Sequence, residues 1–249
     1  YTGLEPVDTT GSTMNHLVFN LVAGTTDAVL DDAGTNTDGN SQLLFTLNSL
    51  EDISFANPSG SLSIVTAGTS SFVRLDKMDT GFAPATMNFT GAATDTFLLV
   101  DSESIPNTTA LTITTAKLDL NDLNETVGSL SGNGPLTLGS GRLTTGGLNT
   151  DTSFDGAISE TGGLTKTGTG VFTLTVANTY SGATAVNSGS LMITHATATS
   201  TSSSVTVASA ARFESAVDNA RLANLVVNAG GFLRITNPLD TGSSATLPT

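Results

Sequence analysis

The segment Asp31-Asp32-Ala33-Gly34-Thr35-Asn36-Thr37-Asp38-Gly39-Asn40 crowds carboxylate, amide and hydroxyl oxygens around two glycines. Oxygen donors at a glycine bend suit a hard divalent cation such as calcium, with Asp32, Asn36 and Asp38 as the candidate ligands. The EF-hand spacing is not met. With Asn36, Asp38 and Gly39 in register, Gly34 stands at the first ligand position and Phe45 where the bidentate Glu belongs. A solvated turn is the competing reading, and the failed spacing favours it.

Other residues invite chemistry less strongly. Asp151 and Asp155 flank Thr152-Ser153-Phe154, as the carboxylate pair of a glycosidase might. On a strand, however, positions four apart lie far from each other along one face, and Gly156 signals a corner, so both read as structural. His16 and His195 are the only histidines, and neither has an acid and a nucleophile beside it. Lys166 sits at a glycine-rich corner, where a lone lysine is expected to be solvated. Asn88-Phe89-Thr90, Asn107-Thr108-Thr109 and Asn124-Glu125-Thr126 match the N-glycosylation pattern, which arises readily by chance in a Thr/Asn-rich chain. No catalytic or cofactor-binding residue is assigned.

Composition narrows the partners. The formal net charge is −14, with eight basic residues and none before Arg74, so the clustered cations that a phosphate lattice or an anionic bilayer needs are missing. Nucleic acid is excluded on that ground, and no long apolar run exists to insert this segment directly into a membrane. With no cysteine, neither a disulfide framework nor a thiolate ligand is available. Charged residues make up only 12% of the chain, and Thr, Ser, Asn and Gly carry the polarity.

These side chains must be positioned by strands, because alternation is the dominant pattern. Leu62 and Ile64 alternate with Ser; Leu111 and Ile113 alternate with Thr; Phe172, Leu174 and Val176 do so with Thr. Corners follow within a few residues, as in Ser131-Gly132-Asn133-Gly134 and Asn187-Ser188-Gly189, where Gly and Asn accept positive φ. Such short strands leave little room for long hairpins. Only Asp218-Asn219-Ala220-Arg221-Leu222-Ala223-Asn224-Leu225 could pass for a short helix, and it reads equally as a turn entering a strand. A β-sandwich would share the short strands, but the strand-plus-corner unit repeats, as in Val205-Thr206-Val207-Ala208-Ser209-Ala210 and Leu225-Val226-Val227-Asn228-Ala229-Gly230. Repetition at roughly 20–30 residues selects a β-solenoid.

The pieces Gly163-Leu164-Thr165-Lys166-Thr167-Gly168-Thr169-Gly170 and Asn178-Thr179-Tyr180-Ser181-Gly182 carry a more specific signal. With Leu118-Asp119-Leu120-Asn121 and Thr126 to Gly134, they make the stretch from about Leu118 to Ile235 resemble the autotransporter-associated β-strand repeats of bacterial passenger regions. That resemblance implies an all-β fold, a right-handed parallel β-helix with short strands and Gly/Asn corners, secreted and displayed on a bacterial cell surface. It transfers no catalytic residue. Relatives often carry an outer-membrane barrel. Here the closing segment Asp240 to Thr249 is polar, so a barrel is expected to have been removed or replaced by another export route.

Residues 1–100 are expected to form an N-terminal β region that starts or caps the solenoid, 101–237 the repeats, and 238–249 a polar tail. Thr9 to Asn40 is a candidate cap, and Thr197 to Ser204 a candidate excursion. The expected function is a non-catalytic extracellular structural protein, a stalk, adhesin-like rod or fibre-forming subunit. Its partners would be further copies of itself or surface glycans. The alternatives are a carbohydrate-active β-helix enzyme, marked by carboxylates and a basic residue converging in a cleft, or a glycan-binding module.

Overall fold

In the strand Ser61–Thr66, Leu62 and Ile64 are buried while Ser61 and Ser63 face out, as a period of two on a pleated backbone requires. The same logic yields, among the described residues of the computed structural model, twenty-five short strands and no helix. It describes residues 14–21, 27–46, 52–66, 70–200, 203–218, 220–222, 224–236 and 245–246. Branched Val, Ile and Thr fit such a surface, and Gly and Asn supply its corners.

The strands gather into sheets of ten, eight and seven members, stacked as a β-solenoid. In the ten-stranded sheet every pairing is parallel and joins strands one coil apart. Coil length varies: Ser61 to Thr86 is 25 residues, whereas Val171 to Ser190 is 19. Register survives this variation because inward side chains stack on their equivalents. Leu62, Met87, Leu111 and Leu130 form one column, and Phe172, Leu191 and Phe213 continue the same face. All seven are essentially inaccessible. Burying each such side chain stabilises by about 1.5–3 kcal/mol before conformational entropy is set against it.

The ladder crosses residue 100 without a break. What changes nearby is the third sheet, which begins at the strand Glu125–Val127. The eight-stranded sheet stops at the strand Ile158–Ser159, and higher coils turn there through irregular backbone. Thr197 to Ser204 is part of that wall rather than an excursion: Ala198, Thr199, Ser200 and Ser203 are buried. Residues 201 and 202 lie outside the described residues. In the helix-or-turn segment the described residues 218, 220–222 and 224–225 contain no helix and lead into the strand Asn224–Val227; residues 219 and 223 lie outside the described residues. Within 238–249, Ala245–Thr246 pairs in parallel with that strand; residues 238–244 and 247–249 lie outside the described set.

One arrangement departs from the all-parallel expectation. The strands Asp27–Asp32, Asn40–Phe45 and Ile53–Ala56 pair antiparallel, so a hairpin folds back beneath the first coil and covers one edge of the eight-stranded sheet. An open edge exposes unpaired backbone donors and acceptors, and the reversed strands satisfy them. Of the candidate cap Thr9 to Asn40, residues 9–13 and 22–26 lie outside the described residues.

Candidate functional site

The hairpin carries the candidate calcium ligands. Asp32 ends its first strand and Asp38 sits in the connection. Asp79 arrives from a later coil, and one carboxylate oxygen from each of the three lies within 4.8 Å of the others. Asp79 is buried. Its Oδ1 accepts from the Gly81 amide at 2.6 Å and from Asn57 Nδ2 at 3.0 Å, and its Oδ2 accepts from the Gly39 amide at 3.3 Å. Asp38 accepts from the amides of Asn40 and Thr35. Asp32 Oδ1 is buried with no hydrogen-bond partner, and burial, then repulsion from Asp79, Asp38 and Asp31, raises the Asp32 pKa. Asn36 contributes its main-chain carbonyl, which accepts from Thr80 Oγ1 at 2.8 Å.

Two of the three expected residues therefore converge by their carboxylates. The sequence reading missed Asp79, because Asp79-Thr80-Gly81 reads only as a turn and nothing in it names residue 32 as its neighbour. Beside the cluster lies a cleft of about 230 Å³, lined by Lys77, Met78, Asp79, Phe82, Glu103 and Pro106 among others. Its carboxylates are already engaged. Thr126 Oγ1 donates to Glu103 at 3.1 Å, the Asn107 amide, suitably oriented, donates to the other oxygen, and Asp79 is held as above.

The third sheet places polar groups inside an otherwise hydrocarbon column. Glu125 stands in line with Leu143, Leu164 and Thr184, at the sheet's first rung. Its oxygens accept from the amides of Ser104 at 3.1 Å and Ile105 at 3.2 Å, so the side chain caps the loop of the coil below. Burial foremost, then the Glu103 carboxylate, pushes its pKa up to about 8 against the pull of those amides.

Lys166 occupies the neighbouring inward column, paired with Thr145 below and Val186 above. Contrary to the expectation of a solvated corner, it is fully buried. Its Nζ donates to the carbonyls of Thr167, Gly168 (2.9 Å) and Ser188 (3.3 Å), the last belonging to the next coil. An ammonium has three protons, and here each meets a carbonyl. Desolvation lowers its pKa to about 8, with the Asp151 carboxylate pulling the other way.

Asn178 and Tyr180 act similarly. Asn178 Oδ1 accepts from the Ile158 amide at 2.7 Å in the coil below, and its Nδ2 donates to the Ala198 carbonyl above. The buried Tyr180 hydroxyl meets Thr184 Oγ1 at 2.6 Å, which meets Ser203 Oγ at 3.1 Å; burial pushes the phenol up to about 12.

The remaining candidates are scattered. Asp151 accepts from the Val171 amide and Asp155 from Ser153 and Thr175, so each serves its own coil or the next one. His16 lies at the start of the first strand against Ser61, and His195 lies after the strand Ser190–Ile193, near the other end of the ladder. Asn88 donates to Ser63, and Asn124 accepts from the Arg142 amide.

The stretch that contributes Lys166, Asn178 and Tyr180 also carries the match to a known family. Residues 164–193 match the passenger-associated-transport-repeat. No curated protein and no solved structure matches the chain. The chain is therefore a β-solenoid of stacked parallel coils, and one stretch of it, residues 164–193, is similar to this passenger-associated repeat.

Proposed function

We propose that this chain is a non-catalytic structural rod displayed outside a bacterial cell, the stalk of an adhesin-like passenger, able to join other copies end to end. One observation carries the reading. The inward polar groups in and below the matched repeat bind neighbouring coils, so their chemistry is spent on holding the column rather than on a solvent-facing site. End-to-end joining is supported at the strand Phe232–Ile235, where Leu233 and Ile235 are half-buried while Phe213 and Ser215, their equivalents one coil below, are buried. One more coil, from this chain or another copy, would complete those columns. Protease treatment of intact cells tests surface display. Loss of the protein only after lysis would overturn it. Negative-stain images test joining, with rods longer than one copy expected.

Calcium belongs to the same reading, held by Asp32 and Asp38 together with Asp79 and pinning the hairpin. Calorimetric titration of the whole chain with calcium should release heat that Asp79→Asn removes. A carbohydrate-active enzyme is the second reading, favoured by Asp79, Glu103 and Lys77 around one cleft. Reducing-sugar release abolished by Glu103→Gln would promote it over the structural role.

A further inference from the structure

We propose that the outer face of the ten-stranded sheet is a docking surface for a neutral polysaccharide laid along the solenoid axis. The pairing register sets Ser63, Asn88, Thr112, Ser131, Ser153 and Thr173 in one outward row. Val18 begins this row, and Met192 follows Thr173 in it. His16, Ser61 and Thr86 start a second row beside it. Successive members stand one strand apart, about 4.8 Å. Seven such steps from the strand His16–Leu21 to the strand Ser190–Ile193 make a track of roughly 34 Å. Neighbouring groups on it bond to each other, Thr112 to Ser131 at 3.0 Å and Asn88 to Ser63 at 3.1 Å. Each hydroxyl has one proton and two lone pairs, so this pairing leaves capacity facing outward.

Charge is what distinguishes this track. The chain carries 22 acidic residues, yet no strand of this sheet from His16–Leu21 to Ser190–Ile193 contains Asp, Glu, Lys or Arg. The eight-stranded sheet, by contrast, bears the ion pairs Asp27–Arg74 and Lys117–Asp119. Charges enter the ten-stranded sheet only at its last two strands, where Glu214 pairs with both Arg212 and Arg234.

Exposed apolar surface is the second, independent feature. Val18, at the first strand of this face, is 54% exposed. Val65, Val171 and Met192 are half-buried further along it. A face of hydroxyls and methyl groups whose strands carry no charge, with the Asp155 carboxylate beside Ser153 at its margin, complements a sugar polymer, whose rings present hydroxyl edges and C–H faces. A polyanion would be repelled by the net charge of −14, and a polycation would find one marginal carboxylate and no counter-charge on the strands. A second copy would bring the same negative charge to a face without the apolar centre that stable dimers use.

This inference takes its biological setting from the surface-rod reading, but its test needs only the purified full chain. Co-sedimentation with insoluble cellulose or chitin should retain the protein, and an alginate gel should not. Thr112→Glu with Thr173→Glu should cut retention at least tenfold. The same charges on the third sheet, Thr144→Glu with Thr206→Glu, should leave it unchanged. Should the first double variant fail to fold by thermal melting, Ser153→Glu at an exposed position replaces it. Absence of retention on both neutral polymers, retention indifferent to the face charges, or a dimer that those charges split would each overturn the proposal. Failure here leaves surface display to the protease experiment on cells.

Discussion

Glu125 stands in the column of Leu143 and Lys166 in that of Thr145 and Val186, and each fills an inward position with ties to another coil. Lys166→Met keeps the buried stem but removes the donor from three carbonyls, one of them on the next coil; Gly168's keeps Ser188 Oγ at 3.1 Å, so those of Thr167 and Ser188 lose most. Each unsatisfied group costs about 1–3 kcal/mol, so a loss of roughly 3 kcal/mol in denaturant unfolding is expected. The two residues also predict opposite pH dependences. Glu125 has a folded pKa raised to about 8, so its stabilising contribution is full below its ordinary value and fades as pH rises towards 8. Glu125→Gln should flatten the decline in unfolding midpoint between about pH 5 and pH 8. For Lys166 the folded value is lowered to about 8, so the folded state releases its proton first and this group's penalty is relieved above pH 8. Part of this was legible in the sequence. Leu164 and Lys166 share parity on one strand, so the alternation that buries the first buries the second. What the sequence did not display was the trio of carbonyls that makes a buried ammonium tolerable.

Corners, rather than strands, decide how coils fit. Gly168 has φ +64°, and a Cβ there would meet the Gly146 carbonyl oxygen at 1.8 Å. Gly168→Ala should therefore cost roughly 2 kcal/mol or more, read as a shift in thermal midpoint. At Gly147, by contrast, a Cβ would meet nothing within 4 Å, so Gly147→Ala should leave the midpoint nearly unchanged. Asn178→Ala should cost about 2–3 kcal/mol, because it breaks ties to the coils below and above together. The parallel ladder was legible from alternation and repetition, which depend only on local pattern. The antiparallel hairpin was not, because strand direction is set by what lies across the edge and the segment before Asn40 has no repeat to copy. The acidic cluster was half legible for the same reason: Asp32 and Asp38 are close in sequence, whereas Asp79 is brought by coil stacking.

Over the whole molecule, stability is a sum over neighbouring coils set against the self-repulsion of a net charge of −14. Salt screens that repulsion, so raising sodium chloride from about 0.05 to about 0.5 M should lift the thermal midpoint by a few degrees. A midpoint that falls would mean that ion pairs such as Arg74–Asp27 outweigh it.

The hairpin turned under the first coil gives the column an origin. Each later rung takes its alignment from one already fixed beneath it, and an added residue is absorbed at a bend, as the spread of coil lengths from 19 to 25 residues shows. A one-residue slip in the reversed strands has no such outlet. It would turn their inward side chains to solvent at the foundation, and the misfit would be inherited by every storey above.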